Sequence, residues 1–331
     1  FFLKMAAVTK MDQTKLSRNT KKTESPAMKL VISGGVTIVF EACGGGHYLE
    51  MLKILKQTSN DTYWTITKRM TASKGIIGVL DGFMPWGMIQ SMVKGSSFGF
   101  GQAACKVALE QVTFMPEWQR EILSGGGGGV VQGVVMSPTL LLKTRVMTDP
   151  RFRSTGGFLS TSWHSLKLGK ELIVTEGGLM SLTKGMGIFS FKRFCDWTTR
   201  YGFCVMVEHF YKKQKFSKYD GDDLFGLKIS KPEQMACSLA GGTLSALATV
   251  PIDVMVATIQ QANKKGEKVS VIEIYKTELR EKGVSGLVQL STRGLIPRVA
   301  HVALTVMIMK TMSSWIYDVI TKKPVFEEDE L

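Results

Sequence analysis

The chain has 331 residues, enough for one large domain or two to three smaller ones. Hydrophobic residues make up 44%, ordinary for a soluble protein and low for a membrane protein, so bulk composition alone does not call for a bilayer. A net charge of +14 points to nucleic acid, anionic lipid or an anionic solute, and five cysteines without CxxC spacing argue against a zinc site or a disulfide framework.

Residues 1–27 carry Lys4, Lys10, Lys15, Arg18, Lys21 and Lys22 against only Asp12 and Glu24. The composition fits a transit peptide and equally a plain solvated tail. The chain begins at Phe1 rather than Met, so the true N-terminus is left open. From residue 28 onward one local pattern occurs three times: "GGHYLEMLKILKQ" (45–57), "VMSPTLLLKTRVM" (135–147) and "ATVPIDVMVATIQQ" (248–261). Each is a small-residue apolar stretch running into a turn residue and then polar or basic residues. A polar amphipathic stretch follows, and then a Gly opens a second apolar stretch. Each unit therefore reads as apolar helix, short polar helix, apolar helix. The long helices are predicted at 29–56, 85–112, 118–147, 187–213, 233–262 and 296–320. The units are 28–115, 116–216 and 217–321, between a basic N-terminal tail (1–27) and an acidic C-terminal tail (322–331).

Only 122–142 and 235–252 are free of charge over a length that spans a bilayer. The other spans contain Glu41, Glu50, Lys94, Lys106, Lys192, Arg193, Arg298 or Lys310. Charge inside a membrane is costly, so these residues should face an internal cavity or sit at helix ends. Loops within units are basic (Lys68, Arg69, Lys74; Arg151, Arg153, Lys167, Lys170; Lys264, Lys265, Lys268), whereas loops between units are mixed. That asymmetry is an orientation signal. The five glycines at 125–129 are not a phosphate loop, because no Gly-Lys-Ser/Thr follows. Gly125, Gly129 and Gly133 are four apart and form a face that lets another helix approach closely. Gly34-Gly35 and Ala240-Gly241-Gly242 are similar runs in the first and third units. No nucleic-acid motif appears, and no nucleophile, base and orienting residue can be assembled into a catalytic set.

The three units resemble the mitochondrial carrier family over roughly residues 28–320. That family repeats Pro-x-[Asp/Glu]-x-x-[Lys/Arg]-x-[Lys/Arg] at the end of each odd helix, followed by an acidic-Gly pair and a basic-Gly pair. The third unit has Pro251 and Asp253; the second has Pro138, Lys143 and Arg145, then Glu176-Gly177 and Lys184-Gly185. The first unit has Tyr48 in place of the proline but keeps Glu50 and Lys53. The resemblance implies an all-α membrane protein with six transmembrane helices in three tandem repeats of pseudo-threefold symmetry. Pro138 and Pro251 would bend their helices, since proline removes a ladder hydrogen bond.

The family's matrix-side gate would pair Glu50 with Lys143 and Asp253 with Lys53, braced by Gln57 and Gln260, with Met147 at the third bracing position. The third ionic pair would join positions 140 and 256, which are Leu140 and Val256. Losing both partners is the cheap route, because removing one strands a buried charge. The opposite gate looks weaker: the matching positions are Gln102, Cys105 and Ser314, and Glu208 lies about one turn from its expected place. By resemblance the solute would be held by Ile89, Gln90, Lys192, Arg193 and His301, with Arg298 one turn away. Two cations beside a Gln and a His suit a small anionic, carboxylate-bearing metabolite moved by alternating access. Competing readings pair Lys192 or Arg193 with Asp196, or make His301 a packing residue. The resemblance calls for no enzyme activity and no cofactor, with cardiolipin as a plausible bound lipid. It places the protein in the mitochondrial inner membrane, termini facing the intermembrane space. The competing function is a carrier fold serving as a structural accessory subunit of a large inner-membrane complex of respiratory-chain type. The lost pair, the weak second gate and the polar tails favour that competitor.

Overall fold

The structure, a computed structural model, describes residues 26–320 except 60, 73, 113–114, 155–156, 176–177, 217–226, 228 and 266–270. The side chains of 26–30, 33, 153–154, 260–265, 271–272, 309–315, 317–318 and 320 are also outside the description. Most of the basic tail, the acidic tail, Glu176-Gly177 and the side chains of Gln260 and Ser314 therefore lie outside the described residues.

Every regular element among the described residues is a helix, with no strand among them. The first unit runs through α1 (Pro26–Cys43), α2 (Gly46–Thr58), α3 (Tyr63–Thr71), a 3₁₀ turn (Gly75–Leu80), a wide turn (Phe83–Gly87) and α4 (Met88–Glu110). The second has α5 (Glu117–Thr148), α6 (Arg151–Ser154), α7 (Phe158–Thr175), a 3₁₀ turn (Gly178–Thr183) and α8 (Met186–Lys215). The third has α9 (Lys231–Lys265), α10 (Val271–Ser291) and α11 (Leu295–Ile320). The long helices pack in a closed ring, α1 on α4, α4 on α5, α5 on α8, α8 on α9, α9 on α11 and α11 back on α1.

By length and composition, Lys231–Ile259 is the one stretch among the described residues apolar enough to cross a membrane. The other long helices are diluted by charged residues and glycine, and the ring shows where the buried charges go: toward its axis.

The predicted single helix over 29–56 is broken. Its first part ends at Cys43, and Gly45 adopts a left-handed conformation (φ 80°) before α2 begins. A residue with a side chain resists that conformation, so the Gly44-Gly45-Gly46 run supplies a break where the other units have proline. Tyr48, at the proline position, instead hydrogen-bonds Thr67 of α3 through its hydroxyl at 2.8 Å. Pro138 and Pro251 lie inside α5 and α9, which continue through them.

The α5 glycines are a contact surface on two sides. A Cβ at Gly129 would lie 2.4 Å from the Arg193 carbonyl oxygen, and one at Gly133 would lie 2.6 Å from Ser190 Cα, both on α8. A Cβ at Gly128 would lie 2.9 Å from the Phe98 carbonyl on α4. Gly241 repeats the pattern on α9, within 2.7 Å of the Cys204 backbone. Gly35 has open space beside it and Gly34 only a loose neighbour, so the first unit's small-residue run does not bring two backbones together.

Apolar packing concentrates where the short helices cover the ring. Met51, Leu52, Ile54 and Leu55 pack with Ile66, Met70 and Met147; Leu142 and Val146 pack with Phe152, Leu168 and Leu172; Val250 and Val254 pack with Leu290. Each unit thus anchors the end of its odd helix on its own amphipathic helix. This end is also tied by Lys74, whose Nζ donates to Asp81 at 2.9 Å, to Thr161 Oγ1 at 2.8 Å and to the Phe152 carbonyl.

Candidate solute cavity and gate

A cavity of about 560 Å³ lies inside the ring. Its wall includes eight basic side chains (Lys53, Arg69, Lys94, Arg145, Lys184, Lys192, Arg193, Arg298) against three acidic ones (Glu41, Glu50, Asp253), an excess suited to an anion. Every ring helix contributes to it, which follows from the cost of leaving these charges toward lipid.

Toward the ends of the odd helices the structure makes the two expected ion pairs. Lys143 Nζ donates to Glu50 Oε2 at 2.5 Å, and Lys53 Nζ to Asp253 Oδ2 at 3.3 Å. Lys143 also reaches Gln90 Oε1 at 3.3 Å. Leu140 and Val256, at the third position, both line the cavity, which continues past them to Thr148 and Pro150. Gln57 is buried on the wall, yet its Nε2 has no hydrogen-bond partner and it braces neither pair. Met147 is fully buried in the apolar cluster on α2 and α3.

The cations expected to hold a solute are distributed differently. Lys192 is bound on two sides, at 2.7 Å from Asp196 Oδ2 and 2.8 Å from Asp253 Oδ1. Arg298 likewise lies 2.8 Å from Asp196 Oδ1 and 3.3 Å from Asp253 Oδ2. Asp196 and Asp253 are thereby the hub of a buried network that joins α2, α8, α9 and α11. Arg193 reaches Asp196 only at 4.0 Å, packs on the Phe189 ring and leaves its buried Nε unpaired. The Lys94 ammonium, also on the wall, has no hydrogen-bond partner among the described residues. His301 Nε2 lies 3.3 Å from Glu41 Oε1.

Ile89 is 37% exposed and does not line the cavity. Consecutive helical residues point about 100° apart, so turning Gln90 inward turns Ile89 outward. Gln90, Lys192, Arg193, Arg298 and His301 do share the one wall. In the sequence Asp196 is only the competing partner of Lys192 or Arg193, and its spacing of four from Lys192 is the signal that puts the two on one helix face. Glu41 and Lys94 were visible as charges inside spans, without an assigned role.

Further from the gate, Gln132 links α4, α5 and α8, donating to the Lys94 carbonyl at 2.7 Å and accepting from Trp197 Nε1 at 3.0 Å. Phe98 stacks on Trp197 with centroids 3.8 Å apart, and Gln102 donates to the Tyr201 hydroxyl at 3.0 Å. Glu208 is engaged along its own helix by Lys212 at 2.9 Å. Aromatic and amide contacts thus occupy the region where charged pairs were sought. A Cβ at Gly127 would meet Cys105 Sγ at 2.5 Å, so Cys105 packs against the glycine helix.

A ring of six long helices, three short covering helices, a charged axial cavity and ionic links at the ends of the odd helices define a solute carrier of the inner mitochondrial membrane type. A family profile described as "Mitochondrial carrier protein" matches residues 115–215 and 228–324, and the chain belongs to that family. Membership implies the mitochondrial inner membrane and a transporter lineage rather than an enzyme one. The chain is also similar to the citrate/oxoglutarate carrier protein of Saccharomyces cerevisiae, at 26% identity over 274 residues, 81% of this chain and 82% of that protein.

Proposed function

We propose that the protein exchanges small carboxylate-bearing anions across the inner membrane by alternating access. The observation that carries this reading is the surplus of cations on the cavity wall, with Arg193 and Lys94 incompletely paired. Arg193 offers a fork for a carboxylate and Lys94 a point charge. Lys192 and Arg298 are held by Asp196 and Asp253, so in this reading they link solute to gate. The similarity to a citrate/oxoglutarate carrier supports a di- or tricarboxylate as solute. Both termini face the intermembrane space, and the recess lined by Lys56, Lys282 and Arg293 offers charge for a lipid phosphate such as cardiolipin's.

The test is reconstitution in liposomes loaded with unlabelled anion, followed by uptake of labelled citrate, oxoglutarate, other oxo-acids and nucleotides. Saturable exchange confined to carboxylates supports the reading. The absence of all exchange, with co-purification in a respiratory assembly, overturns it for the accessory-subunit reading, which Leu140 and Val256 in place of an ionic link favour.

A further inference from the structure

We infer that Asp196 is an internal counter-carboxylate that competes with the solute for Lys192 and Arg298, so that an anion takes these cations by displacing it and is released as it returns. This rests on the carboxylate reading of the cavity and adds to it a positioning residue that sets how tightly the anion is held.

Asp196 stands behind the cavity wall rather than on it. Its side chain is 3% exposed and is not part of the lining, whereas Lys192, Arg193 and Arg298, the three cations its carboxylate faces, all are. Each carboxylate oxygen accepts one hydrogen bond, Oδ2 from Lys192 Nζ at 2.7 Å and Oδ1 from Arg298 Nη2 at 2.8 Å. The same two cations lie within ionic reach of Asp253, but Asp253 Oδ1 and Arg298 Nε are buried with no hydrogen bond among the described residues. Asp196 is therefore the hydrogen-bonded partner that a solute carboxylate has to replace. The two approach from opposite sides, the solute from the cavity and Asp196 from α8.

The backbone at Asp196 is pinned where α8 meets α9. Ser245 Oγ donates to the Asp196 carbonyl at 3.3 Å and shares a hydrogen bond with Thr199 Oγ1 at 2.9 Å. The short carboxylate thus stays in place, and the long Lys192 and Arg298 side chains are the parts that swing. Away from bulk water, an anion held by lysine and arginine without a competitor leaves slowly, because charge-assisted hydrogen bonds are strong there. Transport needs binding strong enough to load and weak enough to release. Asp196 serves release, because it offers both cations a replacement hydrogen bond as the solute departs. It also keeps them compensated while the cavity is empty, which limits the cost of their burial.

The test is initial-rate exchange of labelled citrate and labelled oxoglutarate by the full chain in liposomes, for the parent, Asp196→Asn and Asp196→Glu. Asparagine keeps the size and one acceptor but removes the competing charge. The expected result for Asp196→Asn is a KM roughly tenfold lower together with a lower maximal rate, while Asp196→Glu, which keeps the charge, returns KM to within about threefold of the parent. A merely structural role lowers the melting temperature in detergent and leaves KM where it was. A folded Asp196→Asn protein in which KM or maximal rate fails to fall overturns the competition and leaves the carboxylate reading standing, as does Asp196→Glu matching Asp196→Asn. Exchange of neither anion by the parent overturns both. If Asp196→Asn does not fold, the double variant Lys192→Gln with Asp196→Asn, which removes one charge of each sign, decides. It releases Arg298 from its hydrogen-bonded partner, so KM should stay at or below the parent value despite the lost cation, and a rise beyond about threefold overturns the inference.

Discussion

Lys192 Nζ stands 2.8 Å from Asp253 Oδ1, which joins a cation of the cavity wall on α8 to the acid that also closes the gate with Lys53. The cations of the cavity wall and the ion pair at the end of α9 are therefore one charge network rather than two layers. In the proposed mechanism an anion that draws Lys192 or Arg298 toward itself would weaken their hold on Asp253, and the gate would lose part of its closing force. Coupling of this kind needs a differential interaction in the open and closed states, and Asp253 would supply it.

The same geometry separates Lys192 from its neighbour Arg193. Removing Lys192 leaves Asp196 and Asp253, 3% and 1% exposed at the side chain, with less compensation. Lys192→Met is expected to lower stability by about 3–5 kcal/mol, the usual cost of breaking a buried pair. Arg193→Met removes a weaker contact and should leave the melting temperature nearly unchanged while raising the KM for the exchanged anion roughly tenfold or more. Thermal melting and initial exchange rates measure the two effects separately. An Arg193 variant with unaltered KM would remove that residue from the solute site.

The missing third link yields a restoration experiment. Leu140 and Val256 line the cavity, and neither carries charge to close it. Leu140→Asp alone or Val256→Lys alone places an unpaired charge at the gate and should cost about 3–5 kcal/mol, whereas the double variant should recover most of that. It should also slow exchange, because a third ionic link must break at each opening. Equal damage in all three proteins would show that positions 140 and 256 do not face each other.

Much of the architecture was legible because its signals are local. Proline with a base marked the end of α5 and proline with an acid the end of α9, and the glycine ladder from 125 to 133 marked the face that meets α8. The gate pairs Glu50–Lys143 and Lys53–Asp253 followed from the resemblance, and the structure brings both together. What escaped is what needs three dimensions. Asp196 becomes a hub only when α8 meets α9 and α11, and Ile89 turns outward through a register difference of one residue. The break at Gly44–Gly45 lies inside the helix predicted over 29–56, because the left-handed conformation of Gly45 leaves no periodic signal in the sequence. The family profile matches the second and third units, and the first is the one with Tyr48 for proline.

The glycine ladder makes a position-specific forecast. At Gly129 a Cβ would press on the Arg193 backbone at 2.4 Å, and backbone cannot rotate away as a side chain can. Gly129→Ala should separate α5 from α8 and destabilise by about 1–3 kcal/mol, despite the better helix propensity of Ala. Gly35→Ala, with nothing within 4 Å, should be neutral or stabilising by up to about 1 kcal/mol. Thermal melting in one detergent compares the two, and the same sign for both would contradict the close-approach reading.

Lys74 ties the first unit to the second at the covered end of the ring. The Lys74 and Asp81 side chains are both buried, at 5% and 6% exposed, and Lys74 also binds Thr161 and the Phe152 carbonyl across the unit boundary. Lys74→Met alone takes the buried ammonium away from the Asp81 carboxylate and loses the tie to α7, so it should be the most destabilising change, by about 3–5 kcal/mol. Adding Asp81→Asn lowers the cost of that lost charge pairing and should recover part of the loss, though not the contacts to Thr161 and Phe152. The double variant therefore melts between Lys74→Met and the parent. If it matched the parent, the ties to the second unit would contribute nothing measurable. If it melted no higher than Lys74→Met, the ion pair would be immaterial and the cross-unit contacts would carry the whole effect.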